Sequence, residues 1–364
     1  LVLDAAAELR PDLRLLAMSA TLDGTRVASL LGGARLLEAA GRQHPVHVEH
    51  HPRAAREEAV DASARLVLRA LEETTGDVLA FLPGIGAIRR AAARLGERLP
   101  PGMALEQLYG DLPRGEQDRV LRPDPQRRRV VLATAIAETS LTIEGVTAVV
   151  DAGLARRPRF HPETGLTGLV TVPVSRAEAE QRAGRAGRLG PGRCYRAWSE
   201  HEHRRLADAA EPEIRQADLA PLVLELAAWG VTDPDALRWL DPPPAAAVAQ
   251  ARELLVDLGA LDHAGRITAV GRRMVTLPLH PRLAHMVLAA PADARALACD
   301  LAALIAERDL PGAGDGADLE TRLRALAAWR DRGGRGRGDG GAGAVARAAS
   351  QLRRRAGVDA PAAG

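Results

Sequence analysis

A glutamine and several arginines crowd the stretch QRAGRAGRLGPGRCYRAW, which begins at Gln181. Gln181, Arg185 and Arg188 are spaced so that, on a helix, they share one face. Gly184 and Gly187 interrupt that helix, although each glycine costs it about 0.8–1.0 kcal/mol relative to alanine. Most charge runs are solvated helix faces, but such a face gains nothing from the glycines. The spacing therefore favours a helix pressed against another backbone or against a polyphosphate.

Hydroxyl groups and carboxylates gather in the stretch TAIAETSLTIEGV, which begins at Thr134. Thr134, Ser140 and Thr142 follow an apolar run that predicts a strand. Short hydroxyl side chains and backbone N–H groups bind phosphates without reading bases. Glu138 and Glu144 lie among them, and solvated loop carboxylates are the alternative interpretation for both.

Apolar runs that alternate with amphipathic segments must position these two stretches. Strands or extended segments are predicted over residues 13–22, 44–52, 76–84, 103–112, 130–133 and 148–150, and helices over residues 23–33, 54–73, 85–99 and 113–123. This alternation predicts an α/β fold with a parallel sheet covered on both faces. Functional loops of such folds lie at the carboxyl ends of the strands. Thr21, Pro83, Gly84 and Thr134 fall at such ends.

The remaining residues predict a hairpin, a winged helix and further helices. Two β-type runs flank the turn cluster at residues 161–165 and predict a protruding hairpin. Amphipathic helices over residues 211–275 and a small wing that turns at Gly265 predict a winged helix, with a plain helical subdomain as the alternative. The Gly/Arg-rich residues 332–344 predict a flexible linker, and Gln351 opens the start of another helix.

The composition is that of a globular protein. The length of 364 residues predicts two to four domains, with 46% hydrophobic and 26% charged residues. The sequence contains no lysine, which excludes a phosphate-binding loop of the GxxxxGK[ST] type within it. The net charge of +2 neither requires nor excludes nucleic acid, because a local basic channel is enough to bind it.

The two cysteines and the apolar stretches bear on the compartment. Cys194 and Cys299 have no metal-ligand spacing, and we expect a reducing, cytoplasmic environment and no metal site built from this sequence. The apolar residues 284–306 are interrupted by a proline and three charged residues, so no membrane span is expected. The first residues lack the basic start of a signal peptide.

Four short motifs carry a family resemblance. MSATL, LAFLPG, VVLATAIAETSLTIEGV and QRAGRAGR follow one another in this order. Together they resemble motifs III, IV, V and VI of the DEAH-box helicases of superfamily 2, and the last two are highly specific as a pair. The downstream segments LPLHPRLAHMVL and LIAERDLP are similar to the bacterial HrpB-like branch.

The resemblance implies a fold and a division into domains. We expect a RecA-like parallel sheet domain followed by a winged helix and a ratchet-like helical bundle. Residues 1–50 would end a first RecA-like domain, residues 51–200 would form the second, residues 201–279 the winged helix, and residues 280–364 part of the bundle. The family's phosphate-binding lysine loop and DEAH box are not in this sequence. We therefore expect that this chain alone hydrolyses ATP at no appreciable rate, and that the ligands of Mg²⁺ lie in a preceding segment.

The resemblance also implies a nucleotide site. Arg185 and Arg188 would reach the γ-phosphate of ATP as arginine fingers, and Gln181 would orient the attacking water. Glu144 stands where the family has an acidic residue near the ribose and metal, and Leu121 where relatives often place an aromatic residue against adenine. Ser19 and Thr21 of motif III would couple the nucleotide site to the domain interface, with a strand-end turn as their alternative role. Arg182 is expected to make structural ion pairs.

Single-stranded RNA is the implied partner. Thr134, Ser140 and Thr142 would hold the RNA backbone, with Pro83 and Gly84 close to it. The hairpin would separate strands or stack against bases, and DNA is a possible second substrate. We expect a monomeric, ATP-dependent helicase; a helicase-derived module that binds nucleic acid without catalysis is the alternative.

Overall fold

A parallel sheet organises the first of two units in this protein. The computed structural model describes residues 10, 12–18, 24–38, 44–96, 98–124, 126–138, 143–307, 318–334 and 339–358. One unit comprises residues 12–217, and residues 218–364 belong to the other.

Six strands form the sheet, in the spatial order β1-β8-β5-β2-β4-β3, and every neighbouring pair is parallel. They are β1 (Val46–His50), β2 (Asp77–Phe81), β3 (Ala104–Leu108), β4 (Arg129–Ala133), β5 (Val146–Asp151) and β8 (Gly192–Arg196). Both β2 and β4 are buried at every position, as expected for strands covered on both faces. The predicted RecA-like α/β fold is confirmed. The strand β1, which precedes the boundary expected at residue 50, is an edge strand of this sheet.

The helices of this unit are α1 (Gly24–Leu30), α2 (Ala59–Glu73), α3 (Ile85–Gly96), α4 (Arg114–Leu121), α5 (Arg176–Gly184) and α6 (Glu200–Arg204). The alternation of side chains along β2 divides the core into two clusters. Val78 and Ala80 join the cluster that includes α2 and α3. Leu79 and Phe81 join the cluster on the opposite face, with residues of α4 and α5. The predicted helices over residues 23–33, 54–73, 85–99 and 113–123 are confirmed within a few residues at their ends.

The predicted hairpin is also confirmed. Strands β6 (Leu154–His161) and β7 (Leu166–Pro173) pair antiparallel and form a sheet of their own. Gly165 closes the turn with a φ of +65°, a conformation that side chains on other residues disfavour. Arg157 of β6 forms an ion pair with Glu178 of α5, which ties the hairpin to the helix behind it.

The strand predicted over residues 13–22 is wrong for the part that the structure describes. Residues 12–18 are assigned to no strand, and the side chains of Leu16 and Met18 are 78% and 82% exposed. An apolar run forms a strand only where a neighbouring strand pairs with it, and the described residues place none beside this segment. The sequence pattern alone could not supply that neighbour.

The second unit is helical in its described residues. Its helices are α7 (Ala220–Ala228), α8 (Ala245–Asp257), α9 (Ala269–Val275), α10 (Pro281–Ala289), α11 (Arg295–Ala306), α12 (Leu319–Asp331) and α13 (Asp339–Arg355). Between α8 and α9, a single antiparallel bridge joins Leu261 to Ile267. Gly265 lies in the turn of this bridge with a φ of +76°, which confirms the predicted wing. In the described part of the chain, no helix combines the length and the apolar character needed to cross a bilayer.

The linker predicted over residues 332–344 is only partly correct. Residues 332–334 form a turn, but α13 already begins at Asp339, so Gln351 lies near its end rather than near its start. The helix forms through its glycines because Val345, Ala349 and Leu352 are buried in the helical unit. Tertiary packing thus outweighs the low helix propensity of glycine.

Candidate nucleotide and nucleic-acid sites

The helix that carries the glutamine and the arginines begins at a complete capping box. Ser175 accepts a hydrogen bond from the Glu178 backbone N–H at 3.3 Å, and its own N–H donates to the Glu178 carboxylate at 2.8 Å. The α-helix ends at Gly184, and one turn of 3₁₀-helix, Arg185–Gly187, follows. The predicted helix therefore changes type at Gly184, but the predicted shared face is kept, because side chains three residues apart on a 3₁₀ turn eclipse and Arg188 lies over Arg185.

The change of helix type separates the three side chains by exposure. Gln181 on α5 is half-buried, and Arg185 is only 7% exposed. Arg188, just after the 3₁₀ turn, is exposed. Arg185 and Arg188 nevertheless come together in the lining of one small cavity, which they share with Leu79, Ala137, Ile143 and Val146.

Gly187 allows a close approach to another backbone, as the sequence predicts. A Cβ atom on Gly187 would lie 2.6 Å from the carbonyl oxygen of His44. That approach also lets the Gly187 carbonyl accept a hydrogen bond from the His44 N–H at 2.9 Å. The end of the arginine segment is thereby fixed just before β1.

Arg182 forms a buried ion network between α5 and the sheet. Its side chain is 1% exposed and donates from Nε to Glu138 at 2.6 Å and from Nη1 to Asp151 at 2.7 Å. The guanidinium also lies over the ring of Phe81, 5.0 Å from its centroid. Burial raises the pKa of the Glu138 carboxyl, although the charge of Arg182 opposes the shift. The expected structural ion pairs of Arg182 are confirmed, and the alternative of a solvated loop carboxylate is wrong for Glu138, which is buried.

Arg185 is held by the same loop. Its Nη2 donates to the backbone carbonyl of Glu138. Burial lowers the pKa of Arg185 to about 10, and the positive charge of Arg188 acts in the same direction. The guanidinium still carries its charge near neutral pH, so the pair of arginines offers a concentrated positive charge to an anion such as a polyphosphate.

Two more predicted nucleotide residues lie near the amino ends of the strands. Glu144 is exposed in the turn that leads into β5, next to Gly145 with its φ of +89°. Leu121 is the last residue of α4, half-buried against the core cluster that includes Val120. Arg185 and Arg188 line their cavity together with Leu79 from the middle of β2, Ala137 from the segment after β4 and Val146 at the start of β5, so they lie over one face of the sheet, between its two edges.

The predicted nucleic-acid residues lie at the opposite edge. Pro83 and Gly84 follow the carboxyl end of β2, and Thr134 follows that of β4. All three are half-buried, and the Thr134 N–H donates to the Leu108 carbonyl at 3.1 Å. Arg156 of the hairpin packs on Gly84, where an added Cβ would lie 2.8 Å from the arginine Cδ. The hairpin and these loops therefore adjoin.

Four predicted residues, Ser19, Thr21, Ser140 and Thr142, lie outside the described residues. Within the described ranges, no group of three or more His, Cys, Asp or Glu side chains could hold a metal ion.

The sequence analysis did not identify the buried charged residues at the ends of three strands. Asp151 ends β5, and Asp77 and Arg129 begin β2 and β4; all three are buried. A carboxylate or guanidinium next to a fully apolar run was a usable signal, because charged groups are rarely buried unless they are paired.

Comparison with known proteins agrees with this geometry. Residues 59–190 match the helicase conserved C-terminal domain, and residues 251–279 match the winged-helix helicase associated domain HA2. The fold and the arginine segment thus define a RecA-like helicase domain with its associated winged helix.

The relatives identify the branch. The chain is 44% identical to the ATP-dependent RNA helicase HrpB of Escherichia coli (strain K12) over 317 residues, which cover 86% of this chain and 39% of that protein. It is 38% identical to the pre-mRNA-splicing factor ATP-dependent RNA helicase prp22 of Schizosaccharomyces pombe over 77% of this chain and 25% of that protein. The chain belongs to the HrpB-like DEAH-box helicase family.

Solved structures of HrpB match the fold of this chain. Two crystal structures of E. coli HrpB, described as a DExH-box NTPase and as a DEAH/RHA helicase, superpose with TM-scores of 0.84 and 0.88 at 40% identity. Each comparison covers 99% of this chain but only 42% and 44% of the HrpB chain. The chain therefore spans less than half the length of the relatives it matches.

Proposed function

We propose that this chain provides the second RecA-like domain, the winged helix and a helical segment of an ATP-dependent RNA helicase. The observation that carries the proposal is the closeness of the Arg185 and Arg188 side chains, on a segment fixed at both ends by the Arg182 network and Gly187. Residues 51–200, 201–279 and 280–364 are the proposed domains, with β1 added to the first of them because it belongs to the same sheet, and the residues before β1 are the proposed remnant of a first RecA-like domain.

ATP fits the arginine pair. Phosphoryl transfer is catalysed by positioning and by stabilising the charge that develops on the phosphoryl oxygens. Arg185 and Arg188 would supply that charge from the second domain, and Gln181 would orient the attacking water. Mg²⁺ is the proposed companion of ATP and would neutralise charge on the phosphates. Leu121 would contact the base and Glu144 the ribose side of the nucleotide.

Single-stranded RNA is the proposed substrate at the opposite edge of the sheet. Thr134, with Ser140 and Thr142, would bind phosphates of the backbone, and Pro83 and Gly84 would lie beside it. The adjoining hairpin would separate strands or stack against bases. Because these groups contact backbone rather than base edges, DNA stays a candidate substrate. A monomer acting in the cytoplasm is the proposed setting, consistent with two buried, unbridged cysteines.

The alternative is a module that binds nucleic acid without catalysis. The observation in its favour is that the sequence holds no lysine and hence no GxxxxGK[ST] loop. A module that no longer binds nucleotide would not need two adjacent arginines beside a buried ion network. Their presence favours the ATP-dependent helicase over the non-catalytic module.

Triphosphate binding tests the proposal. We expect inorganic tripolyphosphate and ATP to compete for the chain in equilibrium binding. Arg185→Ala and Arg188→Ala should each weaken both ligands by roughly tenfold, because hydrogen bonds to charged groups contribute about 1.5–3 kcal/mol. Arg94→Ala is the control, since Arg94 forms an exposed ion pair with Asp61 on the helices of the opposite face. A wild-type chain that binds RNA but neither triphosphate would support the non-catalytic module.

Hydrolysis provides a second measurement. We expect no appreciable phosphate release from this chain alone. RNA-stimulated release that Arg185→Ala abolishes would overturn this expectation and would show that the residues present are sufficient for catalysis.

A further inference from the structure

A buried arginine at the start of β4 connects two segments that are far apart in sequence. Arg129 is 2% exposed, although the two preceding residues, Arg127 and Arg128, are exposed or half-buried. A buried guanidinium needs hydrogen-bond acceptors for its donors, because an unpaired buried charge is strongly destabilising. The acceptors around Arg129 are therefore informative.

Asp77 fixes the orientation of this arginine. Its carboxylate accepts from the Arg129 backbone N–H at 2.8 Å and from Nε at 2.7 Å. Asp77 in turn donates its backbone N–H to the carbonyl of Gly145 at 2.9 Å. Both residues begin neighbouring parallel strands, so the pair lies at the amino edge of the sheet.

The remaining donors point to the ends of two other segments. Nη1 donates to the carbonyl of Val120 at 2.9 Å and also to that of Arg122. Nη2 donates to the carbonyl of Glu144 at 2.9 Å. One guanidinium thus binds the backbone carbonyls of Glu144 and of the two residues that flank Leu121.

These are the two residues to which the proposed function gives the base and ribose contacts. The phosphate side is held differently, because Arg185 donates to the carbonyl of Glu138. We infer that Arg129, oriented by Asp77, is a positioning residue that fixes Leu121 and Glu144 relative to each other and so sets the base and ribose side of the nucleotide site separately from its phosphate side. This inference rests on the proposed nucleotide function.

Arginine is required for this role by its geometry. The planar guanidinium presents five N–H donors in a fixed fork and can reach three segments at once. A lysine would keep the positive charge next to Asp77 but could not reproduce the fork. Arg129→Lys therefore removes the connection while leaving the charge.

Arg128→Lys is the matched control. Arg128 also donates three hydrogen bonds, but they go to the end of α2: to Gly76 O at 2.6 Å, Leu71 O at 2.8 Å and Thr74 Oγ1 at 2.9 Å. Its substitution removes a similar set of hydrogen bonds without touching the segments that contain Leu121 and Glu144.

The experiment measures binding of two probes to the 364-residue chain, ATP and inorganic tripolyphosphate, together with amide hydrogen exchange. We expect Arg129→Lys to weaken ATP binding by roughly tenfold and to change tripolyphosphate binding by less than about twofold. Exchange should accelerate at residues 119–123 and 143–146 in this variant, and Arg128→Lys should leave both segments and both affinities unchanged.

Three outcomes would overturn the inference. Equal loss of ATP and tripolyphosphate binding would mean that Arg129 supports the whole unit rather than one side of the site. Unchanged exchange in the two segments would mean that they are fixed without Arg129. A wild-type chain that binds neither probe would overturn the proposed nucleotide function itself, and this result is distinguishable because it is seen before any substitution.

Discussion

The amino and carboxyl edges of the central sheet differ in the interactions that fix their backbone. At the amino edge, the buried pair of Arg129 and Asp77 fixes the backbone beside Leu121 and Glu144. At the carboxyl edge, Thr134 and Gly84 lie in loops next to a two-stranded hairpin. The groups proposed to contact a nucleotide thus lie beside buried hydrogen-bonded pairs, whereas those proposed to follow an RNA backbone lie on loops.

Under the proposed function, the difference matches two ligands of different kinds. Precise placement of charge requires side chains whose orientation is fixed before the ligand arrives. Backbone contacts to a flexible polymer tolerate looser placement because they carry no sequence information. Arg182 joins two segments of the carboxyl edge, the loop after Thr134 through Glu138 and the end of β5 through Asp151, and so supports the loop whose Glu138 carbonyl also accepts from Arg185.

The largest expected effect comes from removing that shared connection. Arg182→Met leaves Glu138 and Asp151 buried without their cation, and we expect the free energy of unfolding to fall by about 3–5 kcal/mol. Urea denaturation measures the change. Arg94→Met, which removes the exposed pair with Asp61, should cost no more than about 1 kcal/mol. Equal losses in the two variants would contradict the role of Arg182 as the common support.

A smaller effect should be confined to the amino edge. Gly187→Ala places a methyl group against the His44 carbonyl oxygen, so we expect a loss of about 1–3 kcal/mol in stability and weaker tripolyphosphate binding. Gly190→Ala is the control, because no heavy atom lies within 4 Å of a Cβ built there. RNA binding by folded Gly187→Ala protein should be retained; its loss would show that the two edges are not independent.

The carboxyl edge can be tested with RNA. Thr134→Ala should weaken binding of a single-stranded oligonucleotide by about twofold to tenfold, the value of one hydrogen bond. Binding should fall steeply with salt, because phosphate contacts release counterions. Filter binding measures both. Arg185→Ala should leave RNA affinity unchanged, and an equal loss in both variants would remove the distinction between the edges.

The smallest expected effect is a loss of folding stability when the pH is lowered, and it comes from Glu178. Burial alone would raise the pKa of Glu178, but hydrogen bonds from Ser175 and the charges of Arg157 and Arg182 hold it below 4.5. A carboxyl with a lowered pKa in the folded state stabilises the fold above about pH 4.5, and this contribution is lost as the pH falls through the lowered pKa. Glu178 connects the carboxyl-edge hairpin to α5, so the loss should begin there.

Glu178→Gln measures this contribution. The stability difference between wild type and variant, from urea denaturation, should be largest near neutral pH and should shrink toward pH 3. The exposed Glu72→Gln is the control. A difference that stays constant with pH would show that the ionised carboxylate does not contribute.

Much of the fold was predictable from local pattern. Apolar runs separated by amphipathic segments predicted strands β1 to β5 of the sheet, and the turn cluster before Leu166 predicted the hairpin. Gly187 was predicted to allow a close backbone approach, and His44 is what it approaches. These predictions succeeded because period, turn chemistry and the absence of a Cβ atom are properties of a few consecutive residues.

Tertiary structure decided the rest. The sequence predicted one helix through Gln181, Arg185 and Arg188, but the α-helix ends at Gly184 and a 3₁₀ turn carries Arg185. The glycines before Val345 predicted a linker, yet burial of one face made a helix of them. In both cases long-range contacts exceed the small differences in local propensity.

The sequence by itself determined which chemical groups this protein has, in what order, and which family they resemble. Only the tertiary structure decided that Arg129 joins residues near Leu121 to Glu144, and that Pro83, Gly84 and Thr134 lie at the opposite edge of the sheet from these two residues. The physical reason is that a guanidinium finds its acceptors through space. Segments distant in sequence become neighbours only when parallel strands bring their ends to the same edge.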